Sequence, residues 1–149
     1  MDSPATPDPR LTWQGRFIAS VIAACCLTVL ILAARLNPNP DGMGTHRQLG
    51  LPPCGWVVMF GRPCMTCGMT TAFSHAAHLQ PWAAIKTQPL GALLAFMTPV
   101  GFAATLHAAL TGARLDKIIL PMLKPKLLWL AGAALIAAWV YKLVVTPVV

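Results

Sequence analysis

Residues 17–34 read FIASVIAACCLTVLILAA, a run of 18 residues without a charge, closed by Arg35. As a helix rising 1.5 Å per residue it spans about 27 Å, close to the ~30 Å hydrocarbon core of a bilayer. A cleaved secretory signal usually has a shorter apolar core of about 7–15 residues, so a retained span is expected. Asn37, Pro38, Asn39, Pro40, Asp41 and Gly42 follow, and such turn formers end a helix.

Two further runs repeat the pattern. Between Lys86 and Arg114 no charged residue occurs, and the apolar stretch from Pro89 to Leu110 carries Pro99 in its middle. A kink is expected there, because proline removes one backbone donor. Gly91 with Ala95, and Gly101 with Thr105, place small residues four apart, which lets helices approach closely in lipid. The third run, Leu127 to Tyr141, reaches a spanning length if it continues to Val145 with Lys142 snorkelling outward. Trp129 and Tyr141 then fall near opposite interfaces. The expected fold is all-α: a multi-pass membrane bundle of three spans at about 17–35, 89–111 and 127–145. Residues 1–16 read as a disordered tail and 17–149 as one membrane domain.

Composition agrees. Of the 149 residues 56% are apolar and 10% are charged, against roughly 25% charged in average soluble domains. The net charge of +7 does not point to nucleic acid, because the basic residues flank the apolar runs and form no aromatic-basic strip. Arg10, Arg16, Arg114, Lys117, Lys124 and Lys126 fall on one side of a three-span topology. Arg35, Arg47, Arg62, Lys86 and Lys142 fall on the other. The positive-inside rule favours the first set in the cytoplasm. A bacterial inner membrane is the expected location, with residues 37–88 facing an oxidising compartment. The expected partners are the bilayer itself and a membrane protein or second copy of the chain against the small-residue faces.

Residues 37–88 hold the chemistry. Cys54, Cys64 and Cys67 lie in a Gly/Pro-rich stretch, whereas Cys25 and Cys26 sit in the first span as small packing residues. Cys54 to Phe60 is too short to cross a membrane, and Gly61-Arg62-Pro63 breaks it. Helical spacing of Met69, Ala72, Phe73, Ala76 and Ala77 predicts a helix starting near Cys67, capped by Thr66 or Thr70. Pro81 opens another short helix through Lys86, and a fourth span arises only if residues 69–86 insert.

Three chemistries fit the cysteines. A disulfide within the loop would staple it, typically worth ~2–4 kcal/mol. A tetrahedral metal site, zinc first, would take Cys54, Cys64 and Cys67 with His46 swinging in as a fourth ligand. Thiol–disulfide exchange would use Cys64 and Cys67 as the redox pair and Cys54 as relay, with a helix start and Arg62 favouring thiolate. His75 and His78 read as one polar helical face and His107 as a headgroup-level residue. Glu is absent, and Asp2, Asp8, Asp41 and Asp116 are scattered, so acid–base hydrolysis has little to work with. A binding or accessory role is expected rather than an enzymatic one.

The stretch Gly61-Arg62-Pro63-Cys64-Met65-Thr66-Cys67-Gly68-Met69-Thr70-Thr71-Ala72 resembles a family of small bacterial membrane proteins classed as a domain of unknown function. Its signature is roughly Gly-x-Pro-Cys-Pro-x-Cys-Gly-x-Thr-Arg-Ala with a Cys about ten residues earlier, here Cys54. The family's later short helix and turn look like Leu79 to Leu90, and the likeness covers about residues 42–112. Met65 stands in place of the usual Pro, and Thr71 in place of a frequent Arg. The resemblance implies an integral membrane protein with a shared three-cysteine loop, and no activity.

Overall fold

Thr12 is extended, and its hydroxyl accepts the Gly15 amide at 3.3 Å, which starts the first helix, α1 (Trp13–Arg35). The structure, a computed structural model, describes residues 11–114 and 124–145. α1 therefore takes in Trp13 to Arg16, which the sequence reading left in the tail. Arg16 supplies the reason. Its guanidinium donates to the carbonyls of Ala109 at 2.9 Å and Leu110 at 3.0 Å, at the carbonyl-rich C-terminal end of α5 (Pro89–Thr111). The rest of the expected tail, residues 1–10, lies outside the described residues, as does Lys117, which precedes the last described helix in sequence.

That helix is α6 (Pro125–Val145). α1 and α5 have 23 residues each and α6 has 21, so each reaches at least ~30 Å. These three helices are long and apolar enough to cross a membrane, and among the described residues there is no strand. The all-helical, three-span expectation stands. α1 packs along α5, and the residues buried on the two helices are small: Ala19, Ala23 and Ala33 on one, and Gly91, Ala92, Ala95 and Ala108 on the other. Small faces bring backbones close where lipid removes any hydrophobic drive. Pro99 lies inside α5 without ending it. Among the described residues of α6, Ala138 and Lys142 are buried; they are four apart and share a face.

Between α1 and α5 the chain folds a cap of short elements: a 3-10 turn (Thr45–Leu49), α2 (Gly55–Phe60), α3 (Met69–Ala77) and α4 (Pro81–Thr87). Pro81 opens α4 as expected, since a first-turn proline forfeits no intrahelical bond. None of these helices approaches a spanning length, so residues 69–86 form no fourth span. α3 sits on α1, α4 and α5. Its contact is an alanine cluster, Ala72, Ala84 and Ala92, all 0% exposed. Polar bonds tie the preceding loop to α3. Thr45 and Thr71 share a hydroxyl–hydroxyl bond of 2.9 Å, Thr45 accepts the Asn39 amide at 3.1 Å, and the Ser74 hydroxyl donates to the Leu36 carbonyl. Each is buried or partly so, where an unmade bond costs about 1–3 kcal/mol. These bonds hold the 37–54 loop over α3, and with it the wall that faces the cysteines.

Candidate metal centre

Two pieces of backbone deliver the cysteines. Cys54 immediately precedes α2. Gly61 caps α2 with φ +63° and turns the chain back, which returns Cys64 to the neighbourhood of Cys54. Residues 64–67 then form a tight turn in which the Cys67 amide donates to the Cys64 carbonyl at 3.1 Å. The outcome is a cluster: the Sγ atoms of Cys54, Cys64 and Cys67 all lie within 4.8 Å of one another. Thiolates bound to one tetrahedral zinc at ~2.3 Å stand roughly 3.8 Å apart. The three are positioned to hold a metal ion, and all are free thiols in the structure.

The local start of α3 differs from expectation. It begins at Met69 behind Gly68, which has φ +86° and no side chain to cap with. Neither Thr66 nor Thr70 caps it, and Cys67 stands outside its first turn. The reason is the left-handed conformation at Gly68, which reverses the chain and turns Cys67 inward to 8% exposure. Cys54 and Cys64 remain half-buried.

The thiols are not electrostatically alike. Partial burial pushes Cys54 up, but the Val57 amide, the Cys67 and Cys64 thiols and the Trp56 amide outweigh it and bring it down to about 7. Burial, followed by the neighbouring Cys54 and Cys64 sulfurs, pushes Cys67 up to about 12. At neutral pH the cluster therefore has one readily ionised sulfur and one that surrenders its proton only to a strong competitor such as a metal.

The cluster borders a cavity of about 760 Å³ whose other walls include Asp41, His46, Arg47 and Thr70. That is the size range of small-molecule sites. His46 lines this cavity, but its Nε2 lies 3.1 Å from the Pro52 carbonyl, and it is not among the ligand atoms gathered within 4.8 Å. Arg62 is exposed and does not line the cavity. His75 and His78 serve the end of α3, with Nδ1 atoms 2.7 Å from Gln80 Oε1 and 2.8 Å from the Ser74 carbonyl.

Sequence reasoning found the α6 span but missed its part in the site. Lys142 does not snorkel outward: it is 5% exposed, and Nζ donates to the carbonyls of Gly42 at 3.2 Å and Thr87 at 3.1 Å. Beside it the Trp139 indole donates to the Pro63 carbonyl at 3.2 Å, and the Tyr141 hydroxyl to the Lys86 carbonyl at 3.1 Å. The end of the last span thus clamps the cysteine turn. The available signal was a cation within an apolar run, which marks function by default.

Residues 54–102 match the family described as "Protein of unknown function (DUF2752)". The match opens on Cys54, takes in all three clustered cysteines and ends within α5. It supports an uncharacterised family and carries no activity. Neither a curated protein nor a solved structure matches the chain.

Proposed function

We propose that this is a small multi-pass membrane protein that binds a divalent, thiol-seeking metal ion, zinc first, through Cys54, Cys64 and Cys67. The observation that carries the reading is the gathering of three sulfurs, rather than two, within 4.8 Å. A disulfide would use two and leave the third unexplained. A tetrahedral ion uses all three and keeps one position toward the cavity. His46, on the cavity wall, is a protein candidate for that position, and a small exogenous ligand is another. The role proposed is accessory: holding or handing on the ion at a membrane surface. We place the cap on the outer face of a bacterial inner membrane. The basic residues of the opposite side, Arg10, Arg16, Arg114, Lys117, Lys124 and Lys126, support this.

A second reading draws on the low Cys54 value. A thiol ionising near 7 beside two others suits thiol–disulfide exchange. Here Cys54 would be the attacking sulfur, rather than the relay expected from spacing.

Cobalt titration of the detergent-solubilised full chain tests the metal reading. One equivalent is expected, with thiolate-to-cobalt absorption in the near ultraviolet. The pH dependence has a definite sign. Metal binding must expel the proton that Cys67 keeps up to about 12, so affinity rises at least about tenfold per pH unit between pH 7 and 8. Below about 7 the Cys54 proton is also expelled, and the rise becomes steeper. No uptake, or an affinity indifferent to pH, would refute the metal site.

A further inference from the structure

Lys142 lies near the C-terminal end of α6 with 5% of its surface exposed. An ammonium stripped of water must replace its hydrogen bonds or pay heavily for the charge. Two bonds are replaced, by the carbonyls of Gly42 and Thr87 at 3.2 and 3.1 Å. Both acceptors are neutral, so neither balances the charge. The side chain is nevertheless delivered there by design of the backbone. Gly42 and Gly68 line its path, and a Cβ on Gly68 would stand 3.2 Å from Nζ. Gly68 directly follows Cys67, so the Lys142 ammonium stands against the backbone that carries a cluster cysteine.

A divalent ion held by three thiolates carries one net negative charge. In a half-buried site that charge is costly unless a fixed cation sits beside it. Lys142 supplies one cation, from α6, beside the backbone of Gly68 that follows Cys67. We propose that Lys142 is the buried counter-charge of the three-cysteine metal complex, a positioning residue that balances the anionic thiolate set without touching the ion. The inference rests on the metal reading. It explains why a lysine stands in an otherwise apolar run and why its approach is kept clear by glycines. It also implies that the third span is part of the site, though it contributes no ligand.

Three variants of the full chain, purified in detergent, separate charge from structure. Lys142→Gln keeps donors for the two carbonyls but not the charge. Lys142→Met keeps neither, and Lys142→Arg keeps the charge. Cobalt affinity, with zinc by competition, is expected to fall roughly 10- to 100-fold in both neutral variants. The cobalt spectrum at saturation should still report three thiolates. Lys142→Arg is expected to bind more tightly than either. Should Lys142→Gln fail to fold, Lys142→Met against Lys142→Arg makes the same comparison. Neutral variants binding as tightly as the parent, or Lys142→Arg binding no more tightly than they do, overturn the counter-charge while leaving the metal site intact. A parent chain that takes up no cobalt overturns the metal reading and this inference together.

Discussion

Replacing Cys67 with serine is expected to weaken zinc binding by at least roughly 100-fold at neutral pH. Structural zinc sites with four ligands bind with about 10–16 kcal/mol, so one ligand accounts for ~3 kcal/mol, and each 1.4 kcal/mol is tenfold. Cys67 is the most buried of the three thiols, and burial pushes it up to about 12. The hydroxyl of a serine there would compete poorly for a soft ion and would keep its proton more firmly still. Cys54→Ser and Cys64→Ser should behave similarly, because the cluster needs all three sulfurs. Cys25→Ser and Cys26→Ser should not matter: both lie within α1 and outside the cluster. Competition with a chromophoric chelator reads all five variants. If Cys67→Ser binds within tenfold of the parent, Cys67 is not a ligand.

Gly68→Ala is expected to be the most damaging single change outside the ligands. At φ +86° a β-carbon costs about 1–2 kcal/mol. It would also stand 2.8 Å from the Gly42 carbonyl oxygen and 3.2 Å from Lys142 Nζ. Backbone oxygen cannot step aside cheaply, so a loss of about 3 kcal/mol in stability is expected. The displaced groups are the two that bracket the cysteine turn, hence metal affinity should fall with stability. Gly101→Ala is the matched control. Gly101 lies in α5 with nothing within 4 Å of a built β-carbon, and alanine favours a helix by up to ~1 kcal/mol. Melting of the detergent-solubilised protein followed by helical circular dichroism should separate the pair by many degrees. Equal melting would mean that the Gly68 turn is not needed for the fold.

The spans were legible because lipid makes composition a local matter. Residues 17–34 and 89–110 need no knowledge of their neighbours to be read as helices, and their charged boundaries lie in the same few residues. Breaks at Gly61 and Pro81 were legible for the same reason, since a left-handed glycine or a first-turn proline acts where it stands. The cysteines could be found by spacing, but their meeting depends on a reversal at Gly61 and another at Gly68, which periodicity does not encode. The start of α3 was misplaced because Met69, Ala72 and Ala76 extend a helical pattern backward through Cys67. The glycine after that cysteine was the clue to a turn instead. Lys142 was misread through a one-helix argument. At the end of an isolated span a lysine snorkels, whereas here two loop carbonyls, from Gly42 and Thr87, give it acceptors inside the cap. Arg16 shows the same limit at the other end of α1, where its partners lie on α5.

X-ray absorption at the zinc edge, on the zinc-loaded full chain in detergent, addresses the metal centre most directly. Three sulfur neighbours at about 2.3 Å and one lighter atom are the expected first shell. A shell of nitrogen and oxygen alone, or one with a single sulfur, would contradict a metal held by Cys54, Cys64 and Cys67.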